Sequence, residues 1–174
     1  RDYFAAEHNL SGPQLEDMLD CIDEIRELKR QKKAVVLAHY YMRDTIKLGI
    51  ADYIGDSLDL SKKAMETNAD TIVFCGVHFM AETAKILNPS KTVLLPRLDA
   101  GCSLAESITA ADVRKLREQY PEAAIVTYIN TTADVKAECD VTVTSANAVK
   151  IVSRLSQKQI VFVPDKYLGR NLRA

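Results

Sequence analysis

The sequence predicts an α/β protein made of repeated three-layer units, pseudo-symmetric to one another, each with a short parallel sheet. Three observations predict it. Helix-like and strand-like segments alternate along the chain. The strand-like segments are short, continuous apolar runs, the signature of strands buried on both faces. Matching segments also recur at a nearly constant spacing, the sign of an internal repeat.

The elements follow in order. Ser11, Gly12, Pro13 and Gln14 read as a capping box that opens a helix to about Gln31, with Leu15, Met18, Leu19, Ile22, Ile25 and Leu28 on one face. Ala34 to Ala38 is a buried strand, Leu48 to Tyr53 and Leu58 to Glu66 read as helices, and Thr71 to Phe74 is a second buried strand. Phe79 to Leu87 is a helix stopped by Asn88-Pro89, and Thr92 to Leu95 a strand stopped by Pro96. Helices are expected over about 104–108 and 110–119, and a strand over Ala124 to Tyr128. A short helix from Thr132 to Glu138 starts with a T-x-x-D signal at Thr131 and Asp134. Val141 to Val143 is a weak strand, Ala146 to Leu155 a helix, and Ile160 to Val163 a strand ended by Pro164.

The repeat sets the domain organisation. His39 and Tyr128 both end an apolar strand and lie 89 residues apart; Ser57 and Ser145, and Phe74 and Phe162, lie 88 apart. The spacing predicts an N-terminal helical segment over 1–31, a first α/β domain over 32–100 and a second over 101–174, whose tail after Pro164 has no clear ending.

Composition narrows the function. The 174 residues carry 23 basic and 24 acidic side chains, a net charge of -1, which argues against a nucleic-acid footprint. No apolar run approaches the roughly 18 residues of a membrane span. The first residues show no apolar core of a signal peptide, so a cytoplasmic location is expected. The four cysteines, Cys21, Cys75, Cys102 and Cys139, form no CxxC pair, which excludes a local zinc or ferredoxin-type knot.

Ligands of open α/β sheets sit at the carboxyl ends of the strands. His39 and Tyr41 follow the first strand; two apart in an extended segment, they would share a face and suit proton transfer. A His and a Tyr satisfied by backbone groups at the core's rim is the equal alternative. Ser57 precedes a helix and can offer its hydroxyl to an anion, or simply cap that helix as Asp56 can. Tyr128, Asn130 and Ser145 repeat these positions in the second unit. His78 could reach the strand ends, with a capping or core role as the favoured alternative, while Glu82 and Lys85 are spaced for a local ion pair. Asp165, after Pro164, is a strand-end candidate that could equally be a loop cap. Cys102 precedes an expected capping box, Ser103 and Glu106, where a helix start would favour the thiolate of a metal ligand or nucleophile. A plain buried thiol is the alternative.

Several runs resemble a known family, the quinolinate synthases. They are Ala38-His-Tyr-Tyr41, Ala51-Asp-Tyr-Ile-Gly-Asp-Ser57, Val73 to Lys85 (VFCGVHFMAETAK), Lys91 to Pro96 (KTVLLP), Ala100-Gly-Cys-Ser-Leu-Ala105, Thr127-Tyr-Ile-Asn130 and Thr144 to Lys150 (TSANAVK). The resemblance covers about residues 34 to 169 in the right order. It implies three pseudo-symmetric α/β domains around one site. The implied reaction condenses iminoaspartate with dihydroxyacetone phosphate to quinolinate, releasing phosphate and water, in NAD biosynthesis. It further implies a [4Fe–4S] cluster held by one cysteine per domain, with an open iron position as Lewis acid. Cys102 matches the first cluster cysteine, His39 and Tyr41 the acid/base and substrate-binding pair, and Ser57, Tyr128, Asn130 and Ser145 the binders of substrate carboxylates and carbonyl. Cys75 and Cys139 match no ligand. The other two cysteines and a His/Glu pair are expected beyond residue 174, so this stretch alone is not expected to hold the cluster or to turn over. An L-aspartate oxidase that supplies iminoaspartate is the expected partner. A non-catalytic module that binds small dicarboxylates is the alternative function.

Overall fold

A computed structural model describes residues 12–173 and divides them between two compact units. The first runs through Gly76 and includes Ala84–Arg97; the second comprises Val77–Thr83 and the chain from Leu98 onward. Ser11, the expected cap of the first helix, lies outside the described residues.

The first unit holds α1 (Gly12–Gln31), β1 (Ala34–His39), α2 (Asp44–Gly49), β2 (Tyr53–Gly55), α3 (Ser57–Glu66), β3 (Thr71–Cys75) and β4 (Thr92–Leu94). Its four strands run parallel in the order β2-β1-β3-β4. The central strands are apolar on both faces because both are covered. Val36, Ala38 and Cys75 pack with Ile46 and Ile50 from α2 and its end. Leu37, Ile72 and Phe74 are fully buried, as are Leu60 and Ala64 of α3, which lies on β1 and β2. α1 also lies on β1, with Ile22 packed so closely on Gly49 that a Cβ there would meet its side chain at 2.9 Å.

α4 (His78–Leu87) spans the division: its residues through Thr83 group with the second unit and those from Ala84 with the first. The second unit continues through a 3₁₀ turn at Ala105–Ser107, α5 (Ala110–Gln119), β5 (Ala124–Tyr128), α6 (Ala133–Ala137), β6 (Val141–Val143), α7 (Ala148–Val152), β7 (Ile160–Val163) and α8 (Lys166–Asn171). Its parallel sheet has the order β6-β5-β7. Val113, Val135 and Leu116 of α5 and α6 pack on Ile125 and Val163 of one face. Ala148, Ile151 and Leu172 of α7 and α8's end pack with Val126 and Val143 on the other. This is the predicted three-layer unit.

The repeat is realised in register. His39 pairs with Gly55 and Tyr128 with Val143; Leu37 pairs with Phe74 and Val126 with Phe162. An unpredicted device recurs with it. Asp52 Oδ2 accepts from Val36 N at 2.7 Å and Asp140 Oδ2 accepts from Ile125 N at 2.7 Å. Each aspartate N–H donates back to the carbonyl of the same residue, at 2.9 Å. Each carboxylate also receives a cation from the preceding helix, Lys29 at 2.8 Å and Arg117 at 3.1 Å. These cations donate as well to Ile50 O and Glu138 O. All the matched positions are 88 or 89 residues apart. The side chains thus supply the ladder bond that the β1–β2 and β5–β6 pairs lack at their starts, where a buried N–H must be satisfied.

Other segments differ from expectation. The helix expected over 48–53 is α2, centred four residues earlier and ending at Gly49, and Tyr53 opens the edge strand β2, half exposed and so without an apolar run to betray it. The helix expected from Ala146 to Leu155 is only Ala148–Val152, because Asn147 Oδ1 accepts from Thr144 N and holds the preceding residues in a turn. Thr131 does not cap α6. Thr132 does, accepting from Val135 N, while the buried Thr131 hydroxyl donates to Tyr128 O at 3.0 Å. Asp165 caps a helix, α8, by accepting from Tyr167 N and Leu168 N.

Candidate functional site

His39, Tyr41, Tyr128, Asn130 and Ser145 lie at the carboxyl end of a strand or in the loop that follows it, and Ser57 opens the helix that follows β2. In the first unit, His39 is the last residue of β1 and only 5% exposed. The chain then turns, with Met42 N donating to His39 O at 2.9 Å. The expectation of an extended segment fails here, yet the turn still brings the two rings together. Tyr41 lies 3.9 Å from the imidazole centroid to centroid, is 51% exposed, and its N–H approaches His39 Nδ1 at 3.5 Å. Burial holds His39 below the ordinary imidazole value, against the opposing charge of Asp56, so at neutral pH the ring is uncharged and offers one donor and one acceptor.

The β1–β2 register sets His39 beside Gly55, and Tyr40 N donates to Gly55 O at 3.2 Å. Asp56 caps α3 by accepting from Asp59 N at 2.9 Å. The capping role thus falls to Asp56. Ser57 is the first residue of α3 and uses its carbonyl to receive Ser61 Oγ at 2.6 Å. The first unit therefore brings an imidazole, a phenol and a serine at a helix start to one sheet edge.

The second unit builds a counterpart from different side chains. Tyr128 ends β5, half-buried, and Asn130 stands in the loop after it. Ile129 N donates to Val143 O at 2.8 Å, tying that loop to the end of β6. Thr144 and the exposed Ser145 follow directly. Thr144 Oγ1 is buried with no hydrogen-bond partner among the described residues, a polar group that calls for one.

Cys102 occupies a loop, not the start of a helix. The expected capping box at Ser103 and Glu106 gives way to a single 3₁₀ turn whose N-cap position is Leu104, with no side-chain cap. Glu106 N donates to Cys102 O at 2.9 Å, and its carboxylate folds over Gly101, where any Cβ would collide with it. The dipole argument for a thiolate lapses, since one turn aligns too few peptides. The thiol itself is half-buried and free, whereas burial pushes Cys75 and Cys139 up to about 11, as neutral core thiols. Among the described residues no three His, Cys, Asp or Glu side chains gather to hold a metal.

The His78, Glu82 and Lys85 positions also resolve. Glu82 and Lys85 do not pair. Lys85 Nζ donates to Pro89 O and Lys91 O, while Glu82 accepts from Ala133 N at 2.9 Å and faces His78 Nδ1 at 3.8 Å.

A model of the quinolinate synthetase A protein family matches residues 23–174. The chain belongs to that family. It is 57% identical over 154 residues to quinolinate synthase of Aquifex aeolicus, covering 88% of this chain and 48% of the relative. It is 58% identical over 153 residues to quinolinate synthase 2 of Mesorhizobium japonicum, covering 88% and 47%, and 56% identical over 151 residues to the Xylella fastidiosa quinolinate synthase, covering 87% and 44%. The chain spans about half the length of the curated relatives it matches. Quinolinate synthase family membership thus covers both α/β units. Among the described residues no helix is long and apolar enough to cross a membrane.

Sequence reasoning missed Asp52, Asp140 and Lys136. The first two were detectable, since Lys29/Asp52 and Arg117/Asp140 repeat at the same offset of 88. Lys136 was not, because its partners come together only in the fold.

Proposed function

We propose that the protein to which this chain belongs is a quinolinate synthase, condensing iminoaspartate with dihydroxyacetone phosphate and releasing phosphate and water. The observation that carries the reading is the pairing of family membership with strand ends that, in both units, present hydrogen-bonding side chains. In this reading Ser57, Asn130 and Ser145 donate to the substrate's carboxylates and carbonyl, as neutral donors suited to anions. Tyr128 adds a phenol at the second strand end. Uncharged His39 orients the substrate through one ring nitrogen, and Tyr41 moves a proton at its hydroxyl. The phenol's ordinary value near 10 lies too high for a base at neutral pH, so Tyr41 acts first as a proton donor. A [4Fe–4S] cluster, which supplies Lewis-acid chemistry when bound, would take Cys102 as one ligand and the others from outside these 174 residues. The iminoaspartate would be delivered by an L-aspartate oxidase, in the cytoplasm.

The test is steady-state kinetics on the full-length, cluster-loaded enzyme. Tyr41→Phe keeps the ring stacked on His39 and deletes only the hydroxyl. It is expected to lower kcat by about 10²–10⁴-fold with substrate still bound. Near-native kcat would remove Tyr41 from the chemistry. A wild-type protein that binds small dicarboxylates yet forms no quinolinate would favour the binding-module reading.

A further inference from the structure

The loop that carries Asn130 is held from two sides. On one side Ile129 N is bonded to β6. On the other, Thr131 is fully buried, its N–H donates to Ile129 O at 2.8 Å, and its carbonyl receives Lys136 Nζ. That ammonium also lies 5.5 Å from the centroid of the buried Phe79 ring of α4. Glu82, one turn further along α4, takes the N–H of Ala133, the first residue of α6 and an orphan helix donor. The first unit shows what is special here. Lys47, the counterpart 89 residues before Lys136, pairs at 2.7 Å with Asp44 of its own helix. The position matching Asp44 is Ala133, and the acid whose charge acts on Lys136 is Glu82 of α4.

We propose that Lys136 and Glu82 are positioning residues that strap the Ile129–Thr132 loop and thereby set Asn130 for the substrate. The inference rests on the quinolinate synthase reading for the substrate and on geometry alone for the strap. Removing the ammonium leaves a buried carbonyl without a donor, and the loop then gains its freedom at the residue next to Asn130. Neutralising Glu82 takes away the charge that acts most strongly on Lys136. Burial lowers the lysine to about 8, with the Glu82 charge opposing the shift, so the strap is charged and intact at neutral pH and weakens above it.

Two readouts on the full-length enzyme decide the matter. Hydrogen–deuterium exchange follows peptides that cover residues 128–133; kinetics follow KM against kcat. The variants are Lys136→Met, Lys136→Arg and Glu82→Gln, the last of which keeps its shape and an acceptor oxygen and carries the test if Lys136→Met does not fold. Lys115→Met on α5, a lysine 76% exposed, controls for loss of charge. Lys136→Met is expected to speed exchange in the loop by about 10–100-fold and to raise KM by a similar factor, with kcat within about threefold. Lys136→Arg restores both at pH 9, where a guanidinium stays charged. Wild-type exchange in both Lys136→Met and Glu82→Gln overturns the strap, whatever the enzyme makes. Faster exchange with unchanged KM overturns the role in setting Asn130. A wild-type enzyme that forms no quinolinate overturns the functional reading instead, and exchange alone then judges the strap.

Discussion

Asp140 offers the sharpest test of the repeated clamp. Its carboxylate accepts from the N–H of Ile125, a residue with no exposure, and from Arg117. Asp140→Ala orphans that buried donor, at a cost of about 1–3 kcal/mol. It also removes the Arg117 pair, whose side chains are 40% and 42% exposed and whose worth is therefore only about 0.5 kcal/mol. The two together predict a loss of about 1.5–3.5 kcal/mol, roughly 3–14 °C in Tm at 2–4 °C per kcal/mol for a unit embedded in a chain of this size. Asp140→Asn keeps an oxygen over the Ile125 N–H and is expected to lose about half as much. Arg117→Met tests the cation alone and is expected to cost no more than about 1 kcal/mol. Thermal melts of the full-length variants by circular dichroism give the ranking, and the exchange rate of the Ile125 amide localises it. If Asp140→Ala melts with the wild type, or if Arg117→Met costs as much as Asp140→Ala, the buried N–H is not what the carboxylate satisfies.

Three further outcomes are expected. Because burial lowers His39 in the folded state, the unfolded chain takes up its proton first; stability is intact above the unfolded value near 6.5 and is lost as pH falls through it. Tm measured from pH 7.5 to 5 should therefore drop more steeply in the wild type than in His39→Asn, and equal slopes would refute the assignment. Ser57→Ala and Ser145→Ala should each weaken calorimetric binding of a substrate-like dicarboxylate by about 1–3 kcal/mol without unfolding α3, which Asp56 caps; unchanged isotherms in both would dismiss carboxylate binding at these two serines. Cys102→Ser should remove the visible absorbance and the iron of the anaerobically purified full-length protein, whereas Cys75→Ser and Cys139→Ser should keep both; a Cys102 variant with full iron sinks the ligand assignment.

The fold was legible where one physical signal dominated. β1, β3, β5 and β7 announce themselves as apolar runs because helices cover both faces of each sheet, and α1, α3 and α5 keep an unbroken helical period. Signals failed where burial is partial or the partner is distant. β2 is three residues with exposed Tyr53 and Ile54, so its pattern resembles a helix end. Ser103 and Glu106 carry the letters of a capping box, but the carboxylate lies over Gly101 and only a 3₁₀ turn forms. At the candidate site, the strand-end residues were readable from the repeat. The strap was not: Glu82 and Ala133 meet across 51 residues, and a sequence window sees only the tempting Glu82–Lys85 spacing.

The paired aspartates have a consequence for how such a chain can change. Asp52 and Asp140 fix the strand starts, so the stretch between a strand's carboxyl end and its aspartate behaves as a cassette bounded by anchored points. The first unit fills it with thirteen steps from His39 to Asp52 and the second with twelve from Tyr128 to Asp140, and the sheets keep the same register across that one-residue difference. One duplicated scaffold can then diversify what it shows to a ligand, an imidazole and phenol in one copy, a phenol and carboxamide in the other, without renegotiating the strands beneath.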